Sequence, residues 1–195
     1  MERRREFKKA ARTYEKALAS SADHGVALCH AAALHHYELG NFDTAGRSRC
    51  FVQHHIDFCG SDGLYARAIS ADVADAPTYS GFILLLLHDL GNTERASRVL
   101  ESAKTKFPKN AEIIYCHGLI CLAKGNAGKA ERLFGEALER NPTHGGSLSH
   151  LATLLFTVRN NVDAAESLYR RALKVWGSDL FPSLVAKHDC PGFTF

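Results

Sequence analysis

The sequence contains one tryptophan, one methionine and five prolines in 195 residues, and its longest uninterrupted apolar run, Phe82 to Leu87, is six residues. A helix needs about 20 apolar residues to cross a bilayer, so no membrane span is expected. The opening MERRREFKKAAR is charged throughout and has no apolar stretch behind it. That is not the pattern of a secretory signal. The cytoplasm, with the nucleus as the alternative, is the expected compartment, and there the six cysteines stay mostly as thiols. Most of them fall at helix positions that read as buried, where cysteine acts as a small hydrophobe. Phosphate-binding glycine loops, HExxH pairs and GxSxG elbows are also missing. The neighbouring glycines Gly145 and Gly146 lie between helices, without the strand a nucleotide loop requires. The expectation is a protein without catalytic activity or cofactor.

Net charge is scarce outside one end. The formal net charge is +3, yet residues 1–12 hold six Arg/Lys against two Glu, and the remainder holds 18 basic against 19 acidic residues. A nucleic-acid binder shows a basic stripe along its folded body. This body is neutral, so nucleic acid is disfavoured as a partner. The basic start RRREFKK reads as the solvated face of an amphipathic helix over 5–20, whose apolar stripe is Phe7, Ala10, Ala11, Tyr14, Ala17 and Leu18. The eleven histidines raise the question of a metal. Cys50 and His54 are spaced i, i+4, with His55 and Cys59 nearby, but no second pair stands at ligand spacing. A structural role is the preferred reading, and no metal is expected.

What the chain does contain is repetition. GNTERASRVLESAKTKFP (91–108) and GNAGKAERLFGEALERNP (125–142) share a skeleton 34 residues apart: Gly91/Gly125, Asn92/Asn126, Ala96/Ala130, Ala103/Ala137 and Pro108/Pro142. Glycine can take the left-handed conformation that ends a helix, and the following asparagine can cap the next one. Alanine lets a neighbouring helix approach to about 8–10 Å. Proline stops the preceding helix. Between these points Ala130, Leu133, Phe134, Ala137 and Leu138 fall on one helical face, and Glu131, Arg132, Glu136, Glu139 and Arg140 on the other. Each unit is therefore a helix, a tight turn, a second helix and a proline-marked turn. Exposed charges are free to vary.

Units of this kind are expected over 26–59, 77–108, 111–142 and 145–176, with 5–20 as a lone helix and 61–76 as an extra one. The 26–59 unit is marked by Ala33, Gly40, Asn41 and Ala45; the 145–176 unit turns through Arg159, Asn160 and Asn161 without glycine and is one residue longer. Residues 177–195 lack periodicity and read as an irregular tail after a single domain, 1–176.

These residues resemble the tetratricopeptide repeat, a helix–turn–helix unit of 34 residues. Gly118, Ala130, Phe134, Ala137 and Pro142 carry the best copy; Leu84, Ala96, Leu100, Ala103 and Pro108 the next; Ala152, Ala165, Tyr169 and Ala172 a third. Two departures stand out. Ser80, Ile114 and Leu148 replace an aromatic early in the first helix, and Leu84 occupies a position that is usually small. The resemblance implies an all-α, right-handed superhelical solenoid of antiparallel helix pairs, acting as a protein-interaction scaffold. An RNA-associated repeat protein and a regulatory segment of a larger enzyme are the alternatives.

Helical phase, set by that family arrangement, assigns the inner groove to His30, Leu34, Tyr37, Leu85, His88, Tyr115, Leu119, Leu122, Ser149, Thr153 and Phe156. So apolar and aromatic a surface suits an apolar or amphipathic protein or peptide. The alternative occupant is the chain's own tail, through residues such as Leu180, Phe181 and Phe193. Family members that grip chaperone C-termini use Lys, Asn and Arg, whereas matching positions here hold Gly81, Phe82, Leu85, Glu112 and Cys116. Chaperone tails are thus disfavoured. The terminal units look uncapped, which leads to an expectation of self-association through the ends.

Overall fold

The computed structural model describes residues 2–21, 24–34 and 61–176. Every element among them is helical: α1 (Glu2–Ser20), α2 (Gly25–Ala33), α3 (Ser61–Ser70), α4 (Ala76–Leu84), α5 (Thr93–Lys106), α6 (Ala111–Ala123), α7 (Ala127–Arg140), α8 (Gly145–Thr157) and α9 (Val162–Trp176). A π-helical turn, Leu85–Asp89, continues α4. The expected turn at Gly40 and Asn41, the Cys50/His54 pair, Tyr37 and the tail from Gly177 lie outside the described residues. The chain divides into two compact units at the Lys106–Phe107 junction.

In the second unit α6 packs on α7, α7 on α8, and α8 on α9. The turn from α6 to α7 is set by Gly125 at φ +76°, with Asn126 N–H donating to Cys121 O and Gly125 N–H to Leu122 O, both at 2.8 Å. This hydrogen-bond pair satisfies carbonyls that the helix end would otherwise leave open. Asn126 then accepts the Lys129 N–H at 3.1 Å and starts α7. Between α8 and α9 the left-handed place is taken by Asn160 at φ +51°, and Asn161 caps α9 through Ala164 N–H. Asparagine is one of the few residues that tolerates this conformation, which explains how the turn works without glycine.

The second helices bury their small-residue stripes completely. Ala130, Phe134 and Ala137 of α7, and Ala165 and Ala172 of α9, have no exposed surface. Phe134 reaches into α6 where Gly118 has no side chain; a Cβ built there would sit 2.8 Å from Phe134 Cδ1. The large ring and the missing side chain are complementary, which fixes how closely α6 and α7 approach.

In the first unit α1 packs on α2, α2 on α3, α3 on α4, and α4 on α5. The extra helix, α3, owes its place to Tyr65 and Leu64, each 1% exposed. Tyr65 stacks on Phe82 at 5.4 Å between centroids, over Gly81. Arg95 of α5 lies over the Phe82 ring at 5.3 Å and bonds Asp62 at 2.9 Å. The π-turn departs from the regular helix expected over 77–90. It begins right after Leu84, the bulky residue at the register where α6 has Gly118 and α8 has Ala152. Widening the helix there moves the following leucines out of the 3.6-residue phase.

Candidate functional site

The first helices of the second unit, α6 and α8, meet through a cluster of rings. Tyr115 of α6 lies 4.9 Å from the His144 ring, 5.5 Å from His150 and 5.7 Å from Phe134. Gly146 makes room for it, since a Cβ there would fall 2.8 Å from Tyr115 Cζ. Tyr115 is accordingly only 8% exposed, and Leu119, one turn on, 5%. Both serve as core residues of this unit. Leu122, Ser149, Thr153 and Phe156 remain partly exposed. The Thr153 hydroxyl lies 2.8 Å from Tyr169 Oη, and Phe156 packs on the Ala152, Ala165 and Tyr169 cluster. In the first unit Leu85 is fully buried, whereas His88 and His30 are exposed and Leu34 is half-buried. Tyr14 Oη approaches His30 Nδ1 at 3.4 Å, with the rings edge to face. Of the eleven expected groove positions, the structure thus places Leu85, Tyr115 and Leu119 in the core. Tyr115 turns inward because Gly146 lets α8 come close, and Leu85 opens the π-turn, where the regular helical phase is lost.

One constellation invites a catalytic reading. Glu112 Oε2 lies 2.8 Å from His144 Nε2, and His144 Nδ1 lies 2.8 Å from Ser147 Oγ. A carboxylate, an imidazole and a hydroxyl in series form the nucleophilic relay of many hydrolases. Here Ser147 is fully buried, so its oxygen has no approach for a substrate. His144 Nδ1 also accepts the Ser147 backbone N–H at 3.0 Å, which leaves the proton of the neutral ring on Nε2, facing Glu112. The relay is a helix N-cap for α8 held in place by α6. Sequence reasoning missed it, although His144 stands 34 residues after Asn110, the cap of α6, which accepts the Glu112 and Ile113 N–H groups. His24 caps α2 in the same manner through Ala27 N–H at 3.2 Å.

Among the described residues no group of three or more His, Cys, Asp or Glu could hold a metal ion, and no helix is long and apolar enough to cross a membrane. Cys116 and Cys121 are buried free thiols and Cys29 is partly exposed. Burial, reinforced by the nearby Glu112 carboxylate, pushes the Cys116 thiol well above its ordinary value.

Paired helices, left-handed turns at fixed intervals and a glycine facing a phenylalanine define a helical-repeat fold of the tetratricopeptide type. Residues 89–182 match the family model of the cilia and flagella-associated protein 70 middle TPR-like domain. A stretch of 86 residues is 30% identical to human tetratricopeptide repeat protein 7B, covering 44% of this chain and 10% of that protein. The chain therefore spans only a small part of that relative. Among solved structures, a thermophilic TPR protein of Thermus thermophilus, TTC0263, is 21% identical with a TM-score of 0.68, covering 93% of this chain and 89% of its own. The APC/C hetero-tetramer Cut9–Hcn1 gives 0.70 at 18% identity, over 93% of this chain and 33% of that one. YrrB, a TPR protein with an unusual peptide-binding site, gives 0.56 at 16% identity, over 94% and 84%. At these identities the solved structures share the fold. Proteins built this way are generally non-catalytic scaffolds, and the fold is suited to protein or peptide partners.

Proposed function

We propose that the chain is a non-catalytic interaction scaffold whose second unit holds a protein or peptide against α6 and α8. One observation carries this reading. The second helices commit Ala130, Phe134, Ala137, Ala165 and Ala172 wholly to internal packing, whereas the first helices keep Leu122, Ser149, Thr153 and Phe156 partly exposed. Such a surface, apolar at Leu122 and Phe156 and polar at Ser149, suits an amphipathic segment with an apolar anchor. The peptide-binding site named for YrrB supports the reading by analogy of fold. Tyr115 and Leu119 contribute by shaping the helices beneath.

The test uses positions that the fold can spare. Leu122→Glu combined with Ser149→Arg adds charge at partly exposed sites, and helicity by circular dichroism checks that the fold survives. The proteins captured by the wild type are expected to be lost. A folded double variant that captures the same set would refute the proposal. Tyr115→Ala is unsuitable because it would empty a core position.

A further inference from the structure

The outer face of α1 carries three exposed cations, Lys9, Arg12 and Lys16. Arg12 and Lys16 are exposed and make no hydrogen bond or ion pair among the described residues. Lys9 bonds Glu6 at 2.8 Å, but both side chains are largely exposed, so that pair is weak. Spaced i, i+3 and i+7, these three residues share one face and span about 10 Å of helix axis. The opposite face is tied down. Ala11 and Leu18 are each 6% exposed, and Tyr14 meets His30 of α2 edge to face. The ridge is therefore presented on an anchored helix rather than on a loose arm.

We propose that Lys9, Arg12 and Lys16 form a docking ridge for an acidic helical segment of a partner protein, with carboxylates recurring about once per turn. The surroundings select this occupant over other anions. Glu6 and Glu15, both exposed, flank the ridge, so a broad polyanionic surface would press against them while a single narrow helix would not. Among the described side chains no aromatic ring is placed beside the cations to stack on a base: Tyr14 is occupied with His30. The exposed neighbours Thr13, Ala19 and Ser20 include no large apolar group to enter a lipid layer. Acidic side chains at i, i+3 and i+7 on a facing helix match the cation spacing, and charge-assisted bonds to Arg12 can be bidentate.

The experiment uses the whole chain and two fluorescent probes: a four-turn Glu/Ala helical peptide, and a single-stranded RNA of equal formal charge. Binding is followed by anisotropy from about 50 to about 300 mM salt, a range over which exposed charge attraction is strongly screened. The wild type is expected to bind the peptide, with affinity falling as salt rises. Lys9→Glu with Arg12→Glu and Lys16→Glu should weaken it about tenfold or more, since each exposed pair is worth severalfold at most. Lys129→Glu with Arg132→Glu and Arg140→Glu, an equal charge change on α7, should lower it far less. Circular dichroism verifies that both variants fold. Absence of peptide binding by the wild type, equal losses in the two variants, or binding of the RNA in preference to the peptide would each overturn the proposal.

Discussion

Gly118 and Phe134 divide one volume between two helices. The ring fills the space that a Cβ at residue 118 would need, and both neighbours are buried. Gly118→Ala forces the ring or the helix to shift, and overpacking of a filled core costs about 1–3 kcal/mol. A lower urea midpoint with an unchanged slope is the expected result. Cys116 makes a different prediction at the same scale. Its thiol lies well above its ordinary value of 9.0 because it is buried, so the unfolded chain loses the proton first as pH rises. Stability therefore falls once pH passes about 9, and Cys116→Ala should flatten that fall in denaturation curves. Lys106, raised by its hydrogen bond to the Asp72 carboxylate, adds a loss of the same sign above its ordinary 10.5. Alkylation at mild alkaline pH should mark Cys29 before Cys116.

The helices begin on caps that the repeat pattern places, but the capping chemistry varies. Asn92, Asn110, Asn126 and Asn161 accept backbone N–H groups in the expected way. At α8 the same task falls to an imidazole braced by Glu112 of α6. His144→Ala should cost about 1–2 kcal/mol, a typical cap loss. His144→Asn should recover most of it, because an amide oxygen can accept the Ser147 N–H while giving up the reach to Glu112. Chemical denaturation of the two variants side by side measures both values; equal losses would trace the cost to the lost Glu112 contact and refute a cap contribution from the Ser147 N–H bond. Element ends were legible in the sequence because glycine, asparagine and proline act on their own backbone. The π-turn after Leu84 was not, because it arises where a bulky side chain occupies a small-residue position in a packed unit.

For the whole molecule, the division at Lys106–Phe107 predicts how a local insult spreads. Stability in stacked helical units is close to a sum of local and nearest-neighbour terms. Gly118→Ala should thus raise amide exchange across α6 to α9 and leave α1 to α5 nearly as protected as in the wild type. Uniform acceleration of exchange along the chain would contradict this.

Read alone, the sequence determined the 34-residue period, the left-handed turns at Gly91 and Gly125, the alanine stripes and the all-helical class. Each follows from what a residue does to its own helix, through backbone freedom or side-chain size at a fixed phase. Only the tertiary structure decided that Leu85, Tyr115 and Leu119 turn inward, that α3 packs through Tyr65, and that Glu112, His144 and Ser147 form a cap rather than a nucleophile. Those outcomes depend on how near a neighbouring helix comes, and that distance is set by pairs of residues such as Gly118 with Phe134 and Gly146 with Tyr115, far apart along the chain.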